Sequence, residues 1–168
     1  MAILVDEAIW QWRGQRWAHL VSDQDFGELH AFAETLGLRR VGFQGDHYDV
    51  ETSTRRRAID LGAVEISSRD LVRRLRSSGL RYRGSASWTS TDLEPFDDLE
   101  ALRERIAHLL DDHPDSTELD LLLHRSAELV LRSPLRVLHR PFECAVIVET
   151  ATGPVDLVAG ERHSRRRR

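Results

Sequence analysis

Apolar and polar positions in the first 79 residues alternate between short apolar runs and longer segments with helical period. The apolar runs predict four strands, at residues 3–5, 17–21, 40–43 and 63–66. Segments with one apolar stripe predict three helices, at residues 24–36, 52–61 and 67–79. This order predicts an α/β fold with a small, mostly parallel sheet flanked by helices. Too few residues separate the first two strands for a helical crossover, so that pair is expected to be antiparallel.

The second half of the chain has a different pattern. Residues 80–97 include a stretch rich in serine and glycine, which predicts a linker. Amphipathic segments at 98–110 and 117–131 predict a helical hairpin. Three apolar runs predict strands at 135–138, 142–148 and 155–158, and the last two of these are expected to form a β-hairpin. We expect residues 98–160 to pack on the first domain, at residues 1–79. The arginine-rich residues 161–168 are interpreted as a disordered tail.

Composition is that of an ordinary globular protein, with 40% hydrophobic and 31% charged residues among 168. No run approaches the roughly 20 apolar residues of a membrane span. The first residues show no export signal, and a single cysteine, Cys144, fits a reducing compartment. We therefore expect a cytoplasmic protein without a membrane partner, in which Cys144 is a buried core residue.

All 24 basic residues are arginines, and the sequence contains neither lysine nor asparagine. Both missing residues have A-rich codons, so this bias indicates a bacterium with a GC-rich genome. The abundance of arginine is therefore weak evidence for phosphate binding. The net charge of -4 argues against a nucleic-acid partner, except through the tail at 161–168.

The densest group of reactive side chains is Phe-Gln-Gly-Asp-His-Tyr-Asp at residues 43–49. A loop that only reverses the chain would need little more than glycine or serine, so this composition indicates a site. Ligands of open α/β sheets bind beyond the carboxyl ends of the strands. The polar groups that follow predicted strands would meet at that edge, together with helix N-termini that favour an anion. A small phosphorylated ligand would fit there.

The leading hypothesis is a divalent-metal site. Its predicted ligands are His19, His47 and Asp49, completed by a further carboxylate from Asp6, Asp23 or Asp46. Imidazole with carboxylate suits Mn, Fe or Zn, whereas an all-oxygen site would suit Mg. An ion with an open coordination position would activate water toward a phosphoester. Two further side chains would orient or protonate the leaving group, namely Tyr48 and His30.

Two alternatives use the same residues without an ion. In the first, the protein is a non-catalytic nucleotide- or protein-binding module. In the second, the groups form a structural network in which Asp49 caps the next helix and His47 bonds to Asp46 or Asp23. Turnover separates the first alternative from a metal-dependent hydrolase, because a pure binding module is stabilised by nucleotide but hydrolyses nothing.

Three tryptophans, Trp10, Trp12 and Trp17, surround the turn at residues 13–14. The favoured interpretation is that the indoles close one end of the core. The other is a stacking platform for a base. The C-terminal helices and strands are expected to extend the sheet or to supply a homodimer surface.

Several segments together resemble a known bacterial and phage family, catalogued as domain of unknown function 4031. They are Ile-Leu-Val-Asp at 3–6, Trp-Ala-His-Leu at 17–20, Ser-Asp at 22–23, Glu-Leu-His-Ala-Phe-Ala at 28–33, Leu-Gly-Leu at 36–38, the stretch at 43–49 and Leu-Gly-Ala at 61–63. The resemblance covers about half of the chain and implies no activity. It implies that seven residues belong to the family's own pattern: Asp6, His19, Asp23, His30, His47, Tyr48 and Asp49.

Overall fold

The computed structural model describes residues 2–160, which divide into two compact units at residues 2–84 and 85–160. The predicted disordered tail at 161–168 lies outside the described residues. Within residues 2–160, no helix has both the length and the apolar character that a membrane crossing requires.

The first unit is built on a five-stranded mixed sheet. Its strands are β1 (Ile3–Val5), β2 (Trp10–Trp12), β3 (Gln15–Ser22), β4 (Tyr48–Glu51) and β5 (Val64–Glu65). The long strand β3 pairs antiparallel with β1, β2 and β4, and only the β1–β5 pair is parallel. The predicted antiparallel pairing of the first two strands is confirmed, with Ile3 opposite Ser22. The prediction of a mostly parallel sheet was wrong.

A two-residue turn explains much of this mixed topology. Arg13 and Gly14, with φ of 50° and 75°, connect β2 to β3. Two consecutive residues with positive φ form a type I′ turn, whose twist matches that of an antiparallel hairpin. The turn therefore returns the chain directly alongside itself without a helix between the strands. The sequence pattern predicts this turn but not the strand at residues 10–12.

The segment before the site also differs from the prediction. Residues Arg40–Gly42, expected to be a strand, form a 3₁₀-helix, and the strand forms later, as β4. Phe43 and Tyr48 make an isolated β-bridge across the turn between them. The polar residues at 44–49 therefore form a turn and the first two positions of β4 instead of following a strand. In this register Asp49 lies opposite His19, and Tyr48 lies opposite Leu20.

Three helices cover the sheet of the first unit: α1 (Phe26–Thr35), α2 (Thr52–Asp60) and α3 (Ser68–Ser78). The N-cap of α1 is Asp25, whose side chain accepts the Glu28 N–H, so the helix begins two residues later than predicted. Successive strand residues point to opposite faces of the sheet. Helix α1 packs on the face that carries Tyr48, and α3 on the face that carries His19.

The second unit is a four-stranded antiparallel sheet with helices. Its helices are α4 (Leu99–Leu110), α5 (Ser116–Arg125) and α6 (Ala127–Val130), and its strands, in spatial order, are β6 (Thr89–Leu93), β7 (Leu135–Arg140), β8 (Glu143–Thr150) and β9 (Gly153–Ala159). Strand β6 lies in the segment interpreted as a linker. The helix predicted at 117–131 is interrupted at Ser126, which caps α6.

The core of the second unit lies between these helices and one face of the sheet. Leu102, Leu119 and Leu123 pack in it with Val146 and Cys144, all almost completely buried. The predicted burial of Cys144 is confirmed. Burial raises the pKa of the Cys144 thiol to about 12, with help from neighbouring carboxylates, so the group stays a thiol.

Candidate metal centre

Three side chains converge on the sheet face covered by α3. His19 of β3, His47 of the turn and Asp49 of β4 each offer one ligand atom, and these atoms lie within 4.8 Å of one another. The register of β3 against β4 brings the His19 and Asp49 side chains together, because these residues are direct cross-strand partners. The centre is partly open to solvent, since the His19 and Asp49 side chains are 33% and 26% exposed.

His19 is held in place by Asp6, at the end of β1. One Asp6 oxygen accepts the backbone N–H of His19 at 2.6 Å, and the other lies 2.9 Å from the ring Nδ1. Burial of Asp6 would raise its pKa, but the hydrogen bonds from His19 and Ser68 hold the pKa below its usual value. Asp6 is therefore an ionised carboxylate that fixes the orientation of the His19 ring.

Asp46 plays the same part for His47. Asp46 Oδ1 lies 2.6 Å from His47 Nδ1, while Oδ2 accepts the Tyr82 N–H at 2.7 Å and an Arg81 guanidinium N–H at 2.9 Å. Only 2% of Asp46 is exposed. Burial would raise the pKa of Asp46, but these hydrogen bonds and the nearby positive charges hold it below its usual value.

Both imidazoles therefore use Nδ1 to bond a buried carboxylate, which leaves Nε2 for the centre. His47 Nε2 lies 3.3 Å from Asp49 Oδ1. Burial would lower the pKa of His47, but the hydrogen bonds to Asp46 and Asp49 and the charges of these two carboxylates raise it to about 9. Metal-binding histidines very commonly have such a carboxylate behind them, because it fixes the tautomer and increases the basicity of the ligand nitrogen.

The remaining predicted ligands are not brought into the cluster. Asp6 and Asp46 lie behind the histidines with their oxygens occupied, so they support His19 and His47 instead of joining them. Asp23 accepts hydrogen bonds from the Ala2 N–H and from the Arg74 guanidinium. The structure thus assembles three of the six predicted ligands and gives two others a supporting position.

The predicted proton-transfer residues lie elsewhere. Tyr48 precedes Asp49 in β4 and therefore points to the opposite face of the sheet. There the Tyr48 hydroxyl lies 2.9 Å from His30 Nδ1, and the His30 ring packs edge-on against Phe43. Burial, and then the charge of Arg40, lower the pKa of His30 to about 3, so this imidazole is neutral. Neither side chain reaches the cluster from that face.

A cavity of about 150 Å³ adjoins the centre. Its polar lining includes Asp6, His19 and His47, with Ser68 from the first turn of α3 and Arg81 after that helix; its apolar lining is Leu71, Val72 and Leu75. A bound molecule there would meet a hydroxyl, a guanidinium and an aliphatic wall. No local sequence signal marks Arg81 or Tyr82, because they join the site only when the chain after α3 folds back onto Asp46.

Residues 3–78 match the family model described as protein of unknown function (DUF4031), and this part of the chain belongs to that family. The match includes all three residues of the cluster and ends before Arg81 and Tyr82. Neither the curated proteins nor the solved structures contain a match to the chain.

Proposed function

We propose that the first unit binds a divalent transition metal through His19, His47 and Asp49. The observation that carries this proposal is the pair of carboxylate-bonded imidazoles converging with a third carboxylate within 4.8 Å. A metal ion would take the place of the proton between His47 Nε2 and Asp49, since a ligand imidazole must be neutral. The high pKa of His47 also indicates a site in which negative charge exceeds positive charge, as a cation site requires.

The donor set favours some ions over others. Two imidazole nitrogens and one carboxylate suit Mn, Fe or Zn, whereas Mg prefers oxygen ligands and keeps most of its waters. Three protein ligands also leave coordination positions for water or a substrate, as in catalytic zinc sites. Asp6 and Asp46 then serve as the outer carboxylates that orient both histidines.

The reaction that these features suit best is hydrolysis of a phosphoester. A bound ion would supply an activated water and neutralise charge on the phosphoryl group. Ser68 in the first turn of α3 and Arg81 lie in the cavity beside the centre, where a helix N-terminus and a guanidinium favour an anion. Asp46 holds Arg81 at 2.9 Å, so this cation is already positioned at the cavity.

Metal analysis tests the first part of the proposal. The protein is purified without chelator or nickel, and its metal content is measured by elemental mass spectrometry. We expect near-stoichiometric Mn, Fe or Zn in the parent and loss in a His47→Ala/Asp49→Ala variant. The matched control is His124→Ala/Asp112→Ala, which removes an exposed imidazole and carboxylate from the second unit and should leave metal content unchanged.

Turnover tests the second part. The metal-loaded parent should hydrolyse a small chromogenic phosphodiester, and the His47→Ala/Asp49→Ala variant should not. A parent that binds metal but hydrolyses no phosphoester would refute the hydrolase assignment and favour a non-catalytic binding module. A parent without metal, which also fails to bind added Mn, Fe or Zn, would refute the metal centre itself.

A further inference from the structure

The β2–β3 hairpin exposes an aromatic surface. Trp10 is 37% exposed and Trp12 is 49% exposed, with Ile9 beside them at 63%. Trp17 of β3 contacts both indoles, at ring-centroid distances of 6.4 Å from Trp10 and 5.8 Å from Trp12. The interpretation that the tryptophans close one end of the core was therefore wrong for Trp10 and Trp12, whereas Trp17 is half-buried. A contiguous exposed apolar patch is a binding site more often than isolated exposed apolar residues are.

This surface is continuous with the candidate metal centre. Trp17 and His19 lie two residues apart in β3 and so share one face of the sheet. The Trp10 ring centroid lies 6.4 Å from that of His19, and the His19 centroid lies 5.1 Å from that of His47. The rings of Trp12, Trp10, His19 and His47 thus form one row from the hairpin toward the cluster. A ligand that covers the indoles would extend to the centre.

The hairpin also carries a cation. The Arg13 guanidinium lies 4.4 Å from the centroid of the Trp12 ring. Arg13 takes part in no ion pair within residues 2–160, so its charge is available to a bound anion. Aromatic rings beside an arginine are the combination that holds the bases and the phosphates of an unpaired strand. The net charge of -4 describes the whole chain, whereas stacking depends on this local surface.

We propose that the tryptophan surface, Trp10, Trp12 and Trp17, binds the bases of single-stranded nucleic acid and presents the strand's phosphodiester to the metal centre. This inference rests on the proposed function for the reaction and adds the substrate class. A single strand suits the surface better than a duplex, because only unpaired bases offer their faces for stacking. It suits the surface better than a lipid headgroup, because a headgroup has no planar base that could stack on the indoles.

Binding of a labelled oligonucleotide tests the proposal. Fluorescence anisotropy is measured with a single strand of about 12 nucleotides, within the usual range of site sizes. Stacking of one base on an aromatic ring corresponds to about 5-fold to 150-fold in affinity, so Trp12→Ala should weaken binding at least about fivefold. The matched control is Trp88→Phe in the second unit, which should bind like the parent. An abasic strand of equal length should bind the parent at least as weakly as the intact strand binds Trp12→Ala, because it loses stacking on all three indoles.

The role of Arg13 has its own readout. Arg13→Gln should reduce the slope of log affinity against log salt by about 0.7, the value for one phosphate of a single strand. The proposal is overturned if the parent does not bind the strand, if Trp12→Ala binds equally well, or if the abasic strand binds as tightly as the intact one. These measurements are made on metal-free protein, so they are independent of the metal analysis above. Metal binding and diester hydrolysis without indole-dependent strand binding would leave the proposed function standing and refute this inference alone.

Discussion

Replacement of Gly45 by alanine tests how the turn of the candidate metal centre is held. Gly45 has φ of 92°, a conformation that side-chain-bearing residues rarely adopt. A Cβ at this position would overlap Cδ1 of Tyr82 and lie 3.0 Å from its Cγ. A Cβ at Gly84 would overlap the Tyr82 hydroxyl, so the ring sits between two glycines. The backbone of the same Tyr82 donates to Asp46, which orients His47.

Gly37 supplies the matched control. Its φ of 75° is also positive, but a Cβ there would meet no atom within 4 Å. Both variants therefore share the cost of placing an alanine at positive φ, which is about 1–2 kcal/mol. Alanine also lowers the conformational entropy of the unfolded chain, which offsets part of that cost. Gly37→Ala should therefore lower the free energy of unfolding by about 1 kcal/mol. Overpacking against Tyr82 adds about 1–3 kcal/mol, so Gly45→Ala should lower the free energy of unfolding by about 2–4 kcal/mol.

Urea unfolding measures both losses. A Trp88→Phe background leaves tryptophans only in the first unit, so fluorescence reports the unfolding of that unit. Metal affinity is measured in parallel, and only Gly45→Ala should weaken it, because the displaced turn carries Asp46 and His47. Losses that agree within about 0.5 kcal/mol for the two glycine variants would refute the steric argument.

Three further predictions concern Asp46, His47 and Cys144. Asp46→Asn should weaken metal binding about 10-fold to 100-fold, because an amide does not orient His47 as a carboxylate does. Competition with a chelator measures the metal affinity. Equal weakening by the surface change Asp60→Asn would contradict the role of Asp46 in orienting His47. In metal-free protein the pKa of His47 is raised to about 9, so the stabilisation by its protonated form is complete below about pH 6.5 and is lost as the pH rises through 9. Urea titrations across that range should show this decline in the parent and a flatter profile in His47→Gln. Cys144, buried with its pKa raised to about 12, should react with iodoacetamide only when the second unit unfolds, and rapid alkylation at neutral pH in native buffer would be inconsistent with that burial.

Much of the first unit could be predicted from the local sequence pattern. The helices were found within a few residues, because amphipathic period, capping residues and terminal glycines act locally. The antiparallel pairing of β1 with β3 followed from the short connection between them. His19, His47 and Asp49 were selected by residue type and by their positions near predicted strand ends, and the structure brings them together. The helices and the β1–β3 pairing depend on residues that are near one another in the chain. The choice of ligands depends on the known metal-binding chemistry of histidine and aspartate.

Other features depended on pairings between distant segments. An apolar run as short as residues 40–43 does not distinguish a strand from a 3₁₀-helix. In the structure, Arg40–Gly42 form a 3₁₀-helix. Once β4 pairs with β3 in its observed register, alternation sends Asp49 to one face and Tyr48 to the other, which separates two residues that are neighbours in the sequence. Exposure of Trp10 and Trp12 likewise follows from which face of the β2–β3 hairpin remains uncovered.

The amino-acid sequence by itself therefore determined which histidines and carboxylates are available to the candidate metal centre, and which helices and turns surround them. Only the tertiary structure decided their roles. It placed Asp6 and Asp46 behind the imidazoles, brought Arg81 and Tyr82 back to Asp46 and left Trp10 and Trp12 exposed. The physical reason is that a side chain's role depends on strand register and on which groups occupy its hydrogen-bonding atoms, and both are set by contacts between segments far apart in the chain.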